Sequence, residues 1–163
     1  LLGLAASVFG NNYAQAFPSF GPERRGAPVL GFTRIDNKPI IDHSQVYTCD
    51  YVVVLDETLM ETVEVTKGLK DGGKILINTK LSPDRFKFNG NFTVITIDAT
   101  TIAMEELGSP IANTAMLGAF AAVNDFIDID SILKAVDKGM PESLRPKNKK
   151  AIEHAYKVIR GEK

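Results

Sequence analysis

The sequence predicts an α/β domain in three layers, α/β/α, with a mainly parallel sheet and one β-hairpin. Three observations predict it. Apolar, β-branched runs recur at residues 51–55, 74–78 and 92–97, and strands apolar on both faces belong to covered parallel sheets. Segments with helical spacing stand between and after these runs, as in units that return parallel strands through helices on both faces. Residues 28–41 alternate roughly and carry an Asp36-Asn37 turn signal, which reads as a hairpin.

Each element has its own local reason. Residues 1–9 (LLGLAASVF) are apolar and stop at Gly10, so they read as the second half of a helix. No initiator Met and no basic leader precede them, so the chain reads as N-terminally incomplete rather than as carrying a signal peptide. Residues 11–28 are rich in Gly, Pro, Asn and Ser but hold Tyr13, Phe17 and Phe20. They read as an ordered loop, because linkers seldom contain aromatics. Pro28 to Asp36 reads as a strand, and Ile40-Ile41 begins its returning partner.

Tyr51-Val52-Val53-Val54-Leu55 is a buried strand closed by Asp56-Glu57. Residues 58–69 space Leu59, Val63 and Leu69 as a helix face, with Thr58 as cap and Asp71-Gly72-Gly73 as the stop. Strands follow at 74–78 and 92–97. Asp98-Ala99-Thr100 leads into a helix over 100–107 that ends at Gly108-Ser109-Pro110. Asn113 to Asn124 is Ala-rich and apolar around most of its circumference, the mark of a buried helix. Asp130 or Ser131 caps a further helix to Lys138. The last spans 147–160, with Ala151, Ala155, Val158 and Ile159 inward and Lys149, Lys150, Glu153 and Lys157 outward. With no repeat and no boundary signal, residues 1–163 read as one Rossmann-like domain.

Composition excludes several classes. The chain has 163 residues, 44% hydrophobic and 24% charged, which suits a globular core. Its net charge of −1 argues for neither nucleic acid nor membrane. Residues 134–163 hold nine Lys/Arg against four Asp/Glu, a solvated helix face or a surface for phosphate or an acidic partner. No apolar run reaches membrane-spanning length. Cys49 is the only cysteine, which rules out an internal disulfide, a Cys-rich zinc site or an iron–sulfur cluster within the chain. It reads as a structural thiol in a reducing cytoplasm. Nucleotide fingerprints and a nucleophile elbow are missing from the sequence. His43 and His154 lack ligand spacing. No catalytic residue and no metal ligand is therefore named.

Two regions remain for binding. In open parallel sheets, ligands meet the carboxyl ends of the strands. Here those ends carry Asp56-Glu57-Thr58, Asn78-Thr79-Lys80 and Asp98-Ala99-Thr100. The same side chains serve equally as helix caps. The second region is Tyr13 to Pro28, where Arg24-Arg25 stand between Gly21-Pro22 and Gly26. Glycine lets a backbone approach closely, and arginine's fork fits phosphate or carboxylate. A structural loop in which Glu23 pairs with Arg24 or Arg25 satisfies the same residues.

The string Ala14-Gln15-Ala16-Phe17-Pro18-Ser19-Phe20-Gly21-Pro22-Glu23-Arg24-Arg25-Gly26-Ala27-Pro28, followed by Phe32-Thr33-Arg34-Ile35, resembles the gamma subunit of pyruvate and related 2-oxoacid:ferredoxin oxidoreductases. So do residues 50–59, 73–79, 98–100 and 113–119, and the final Lys-rich helix. The resemblance covers essentially the whole chain. Family members also begin with a strand and a glycine-rich loop that this sequence does not contain.

The resemblance implies a complex that oxidatively decarboxylates a 2-oxoacid, pyruvate by first choice, passes electrons to ferredoxin and the acyl group to coenzyme A, and also runs in reverse. It implies thiamine diphosphate, Mg and [4Fe-4S] clusters on alpha, beta and ferredoxin-like delta subunits. This chain then packs the complex and helps bind coenzyme A. The residues pointed to for that contact are Ser19, Phe20, Glu23, Arg24, Arg25, Gly26 and Asn113. Two other readings stand beside it: a free-standing α/β module for coenzyme A or a nucleotide, and a scaffold whose loop only buttresses an interface.

Overall fold

A computed structural model of the chain describes residues 1–19, 28–42 and 44–162. It opens with one short turn of helix, α1 (Leu2–Leu4), which widens into a π-turn over Ala5–Phe9 and stops at Gly10. This is the helix end that the sequence predicts.

Strands β1 (Tyr13–Pro18) and β2 (Gly31–Asp36) form a two-stranded antiparallel sheet, from Tyr13 opposite Asp36 to Pro18 opposite Gly31. The predicted hairpin therefore exists with a different partner. Ile40-Ile41 form no strand, and the partner of β2 is the stretch expected as a loop. Tyr13, Gln15 and Phe17 do alternate with small residues, the period of a strand. Phe17 meets Phe32 across the pair, ring centroids 5.7 Å apart.

The main sheet has three parallel strands in the order β3-β4-β5, with β3 at Cys49–Val54, β4 at Leu69–Asn78 and β5 at Thr93–Ile97. Residues 58–69 are not the predicted helix. A 3₁₀ turn over Glu57–Glu61 is followed by irregular turns. Thr58, Thr62, Val63, Val65 and Thr66 are β-branched and resist helix. Gly68 adopts φ +84, where a Cβ would lie 2.3 Å from the Tyr47 carbonyl oxygen. Nor does Asp71-Gly72-Gly73 stop a helix. These residues lie inside β4, where the register slips between Cys49/Leu69 and Tyr51/Lys74, and Gly72 takes φ +77 at the irregularity.

The remaining elements are α2 (Ala99–Leu107), α3 (Asn113–Val123), α4 (Ile129–Gly139) and α5 (Arg145–Arg160). Asp98 caps α2 by accepting from the Thr101 N–H, and Gly108 ends it at φ 73. Asp128, not Asp130 or Ser131, caps α4, accepting from the Ser131 N–H. α3 is buried as its composition predicts. It crosses α5 so closely that a Cβ on Gly118 would lie 2.1 Å from the Ile152 carbonyl oxygen. On α5, Ala151 and Ala155 point inward as expected. Val158 does not, being 49% exposed, and the fully buried Ile152 takes that place.

One core joins Leu76 and Ile97 of the sheet to α2, α3 and α5. A second joins α1, α4 and the far side of α5. The other face of the sheet, presenting Ile75 and Ile77, packs under Met60, Val65, Phe86, Phe88 and Phe92. The α/β class, parallel sheet and hairpin are as predicted. The layer on that second face consists of a 3₁₀ turn and an aromatic loop instead of α-helices.

Candidate functional site

The carboxyl ends of β3, β4 and β5 open into a crevice of about 920 Å³ lined by Glu57, Thr58, Asn78, Thr79, Asp98 and Thr100, among others. Its floor is a closed hydrogen-bond system. Buried Asn78 donates from Nδ2 to the Leu55 carbonyl oxygen and to Thr100 Oγ1, both at 2.9 Å, and accepts from the Thr100 N–H at 3.2 Å. One side chain thereby ties the ends of β3 and β4 to the start of α2. Thr79 donates to the Glu57 carboxylate and accepts from the Leu81 N–H. Asp56 accepts from Thr58 Oγ1 at 2.8 Å and the Thr58 N–H at 3.0 Å, which hold its carboxyl below the usual range. Burial pushes the Asp98 carboxyl up, but hydrogen bonds from Thr101 and the Lys80 ammonium 3.7 Å away outweigh it and hold it low. The small polar residues after each strand thus act mainly as caps and braces.

The second region is an arm. Among the described residues, β1 and β2 pair only with each other, and the Ser19 N–H donates to the Leu30 carbonyl oxygen at 2.8 Å at the end of the pairing. Residues 20–27 join the strands there. Phe20, Glu23, Arg24, Arg25 and Gly26 lie outside the described residues. Of the sequence-derived candidates, Ser19 sits at the arm's end. Asn113 stands at the start of α3, its side-chain oxygen accepting from the Thr114 N–H. Asn113 lines a groove of about 1280 Å³ between the arm, the β3 edge and α3. Ser19 is not among the residues lining that groove.

Arg34 also lines the groove, a residue to which the sequence assigns no binding role. Its guanidinium donates to Gln15 Oε1 at 3.2 Å, the Asp42 carbonyl oxygen at 3.1 Å, Ser44 Oγ at 3.4 Å and the Gln45 carbonyl oxygen at 3.2 Å. The Asp42 carboxylate is 3.8 Å away, and the Phe17 ring centroid lies 5.8 Å from Cζ. The available signal was its place in Phe32-Thr33-Arg34-Ile35.

Cys49 is half-buried, with Sγ 3.7 Å from the Gly68 carbonyl oxygen. Burial first, and the Asp50 charge second, push its thiol up against the pull of Lys70. A raised thiol makes a poor nucleophile, in keeping with a structural role. A single thiol does not fit an iron–sulfur cluster. His154 joins α5 to α2 through Nδ1, 2.9 Å from Glu106 Oε1.

Residues 1–158 match the family model described as pyruvate ferredoxin/flavodoxin oxidoreductase. The chain belongs to the pyruvate ferredoxin/flavodoxin oxidoreductase family. It is 50% identical over 99% of its length to pyruvate synthase subunit PorC of Methanosarcina barkeri, covering 88% of that protein. It is 47% identical over 94% of its length to the common gamma subunit of the pyruvate/ketoisovalerate oxidoreductases of Thermococcus kodakarensis, covering 85% of it. The crystal structure of pyruvate oxidoreductase subunit PORC from Thermotoga maritima superposes with a TM-score of 0.80 at 36% identity, covering 96% of this chain and 84% of that one. The α/β fold is therefore shared with a solved subunit of this oxidoreductase family. Among the described residues, no helix is long and apolar enough to cross a membrane.

Proposed function

We propose that this chain is the gamma-type subunit of a cytoplasmic 2-oxoacid:ferredoxin oxidoreductase, with residues 1–163 a single gamma-type domain. The complex interconverts pyruvate, coenzyme A and oxidised ferredoxin with acetyl-CoA, CO2 and reduced ferredoxin. Thiamine diphosphate, Mg and the [4Fe-4S] clusters belong to the alpha, beta and delta subunits. The chain packs these parts together and supplies one wall of the coenzyme A route. Because a relative serves both pyruvate and ketoisovalerate oxidoreductases as a common gamma subunit, selection of the 2-oxoacid is assigned to the other subunits.

The observation that supports the coenzyme A role is the arm. Its paired strands close with the Ser19 N–H donating to the Leu30 carbonyl oxygen and share no ladder with the main sheet. Arg24 or Arg25 then pairs with phosphate, for which a guanidinium fork is suited. Asn113, on the groove beside the arm, belongs to the same wall. In the assembled complex, Arg25→Ala raises the coenzyme A KM and leaves subunit composition intact. An assembled Arg25→Ala complex with unchanged coenzyme A KM contradicts this role.

A further inference from the structure

We propose that Arg34 is a positioning residue that sets the angle at which the β1–β2 arm leaves the body, and hence where its Ser19 end meets the coenzyme A route. The inference rests on the reading of the arm given above. The two strands share no ladder with the main sheet, so backbone pairing does not orient them. Two contacts on opposite faces do. On one, Ala14 and Ile35 pack against the α1/α4 core, and Gly3 brings α1 close beneath Ala14 and Ala16. That contact is apolar and therefore non-directional.

On the other face Arg34, the residue before Ile35 and so opposite in the pleat, reaches Asp42, Ser44 and Gln45. Two of its acceptors there are main-chain carbonyls, and Gln15 of β1 is a third. One guanidinium thus holds both arm strands and the segment leading into β3. Its side chain is 20% exposed and its bond to Gln15 is partly buried, while the bonds to Asp42, Ser44 and Gln45 lie at the surface. A fork with donors in fixed directions imposes an angle, whereas lysine's ammonium is a single point on a flexible stem.

The test uses the assembled oxidoreductase carrying Arg34→Lys, Arg34→Ala or Arg25→Ala, with steady-state kinetics in coenzyme A and amide exchange of the gamma chain. Arg34→Lys is expected to raise the coenzyme A KM roughly tenfold, the scale of a lost charge-assisted hydrogen bond, with kcat at saturation unchanged. Exchange should quicken in β1, β2 and the Ser44–Gln45 stretch that Arg34 holds, and not in β3–β5 or α2–α5. Arg34→Ala should exceed it in KM. A normal KM for Arg34→Lys beside a raised KM for Arg25→Ala overturns the positioning role and spares the reading of the arm. An Arg34→Ala chain that melts lower yet assembles with normal KM overturns it also, since Arg34 would then be structural only. A normal KM for Arg25→Ala overturns the reading of the arm, and this proposal with it.

Discussion

Asp128 and Asp98 show what single carboxylates do here. Each accepts the N–H three residues on, and each is held below the usual carboxylate range, Asp128 chiefly by the Ser131 N–H. A carboxyl depressed in the folded state adds stability above its unfolded pKa and loses it as pH falls through the folded value. Asparagine caps about as well as aspartate but does not titrate in this range. Asp128→Asn should therefore keep near-normal stability at pH 7 and show a shallower loss on acidification below about pH 4. Urea titrations at several pH values check this. An unchanged acid slope would mean that Asp128 does not titrate with folding. Asn78 carries more, because it is buried with both ends of its amide engaged. Asn78→Ala leaves the Leu55 carbonyl and Thr100 short of partners and should cost about 1–3 kcal/mol. Arg25→Ala should raise the coenzyme A KM by about 10- to 150-fold, the equivalent of about 1.5–3 kcal/mol for a lost charged contact.

Among elements, the α3–α5 crossing is the tightest joint. Ala115, Ala119 and Ala151 are fully buried there, and Gly118 faces the α5 backbone. Gly118→Ala adds only a methyl and improves intrinsic helix propensity by about 1 kcal/mol. The added Cβ nevertheless meets rigid main chain, and overpacking of this kind costs about 1–3 kcal/mol or more. The variant should melt lower than wild type, by calorimetry or circular dichroism. A higher melting temperature would show that the two helices can move apart freely.

The arm and the sheet also differ in how readable they are. β3, β4 and β5 announce themselves because buried parallel strands need continuous apolar β-branched runs. β1 has the alternation of a strand, but Asn11-Asn12 before it and Pro18 at its end look like loop chemistry, and its partner lies beyond a Gly/Pro-rich segment. The false helix at 58–69 came from three apolar residues that happen to share a helical spacing. Five β-branched residues and Gly68 at positive φ decide against it. The start of β4 was hidden by Gly72-Gly73, whose irregularity reads in sequence as a break.

For the whole molecule, the candidate site was legible in part. Arg24-Arg25 and the glycines around them are visible as residue types suited to phosphate, and their string carries the family resemblance. That the string spans an antiparallel arm is a property of the pairing of β1 with β2, which periodicity alone did not reveal. Arg34 was illegible for a simpler reason: two of its acceptors are the main-chain carbonyls of Asp42 and Gln45, and main-chain acceptors leave no mark in a sequence. The crevice at the strand ends was predicted from topology. Its polar groups prove to be largely engaged with one another, which makes it a brace first.

As a subunit of a multi-subunit oxidoreductase, the chain is expected to be active in its assembly and not alone. The most direct measurement is affinity purification of the tagged chain from its native host under anaerobic conditions, with mass spectrometry of the proteins retained. The expected result is a thiamine diphosphate-binding subunit and a cluster-rich subunit in stoichiometric amounts, together with coenzyme A-dependent pyruvate oxidation. A chain that returns alone and monodisperse, under conditions that preserve such complexes, would contradict it and favour a free-standing binding module.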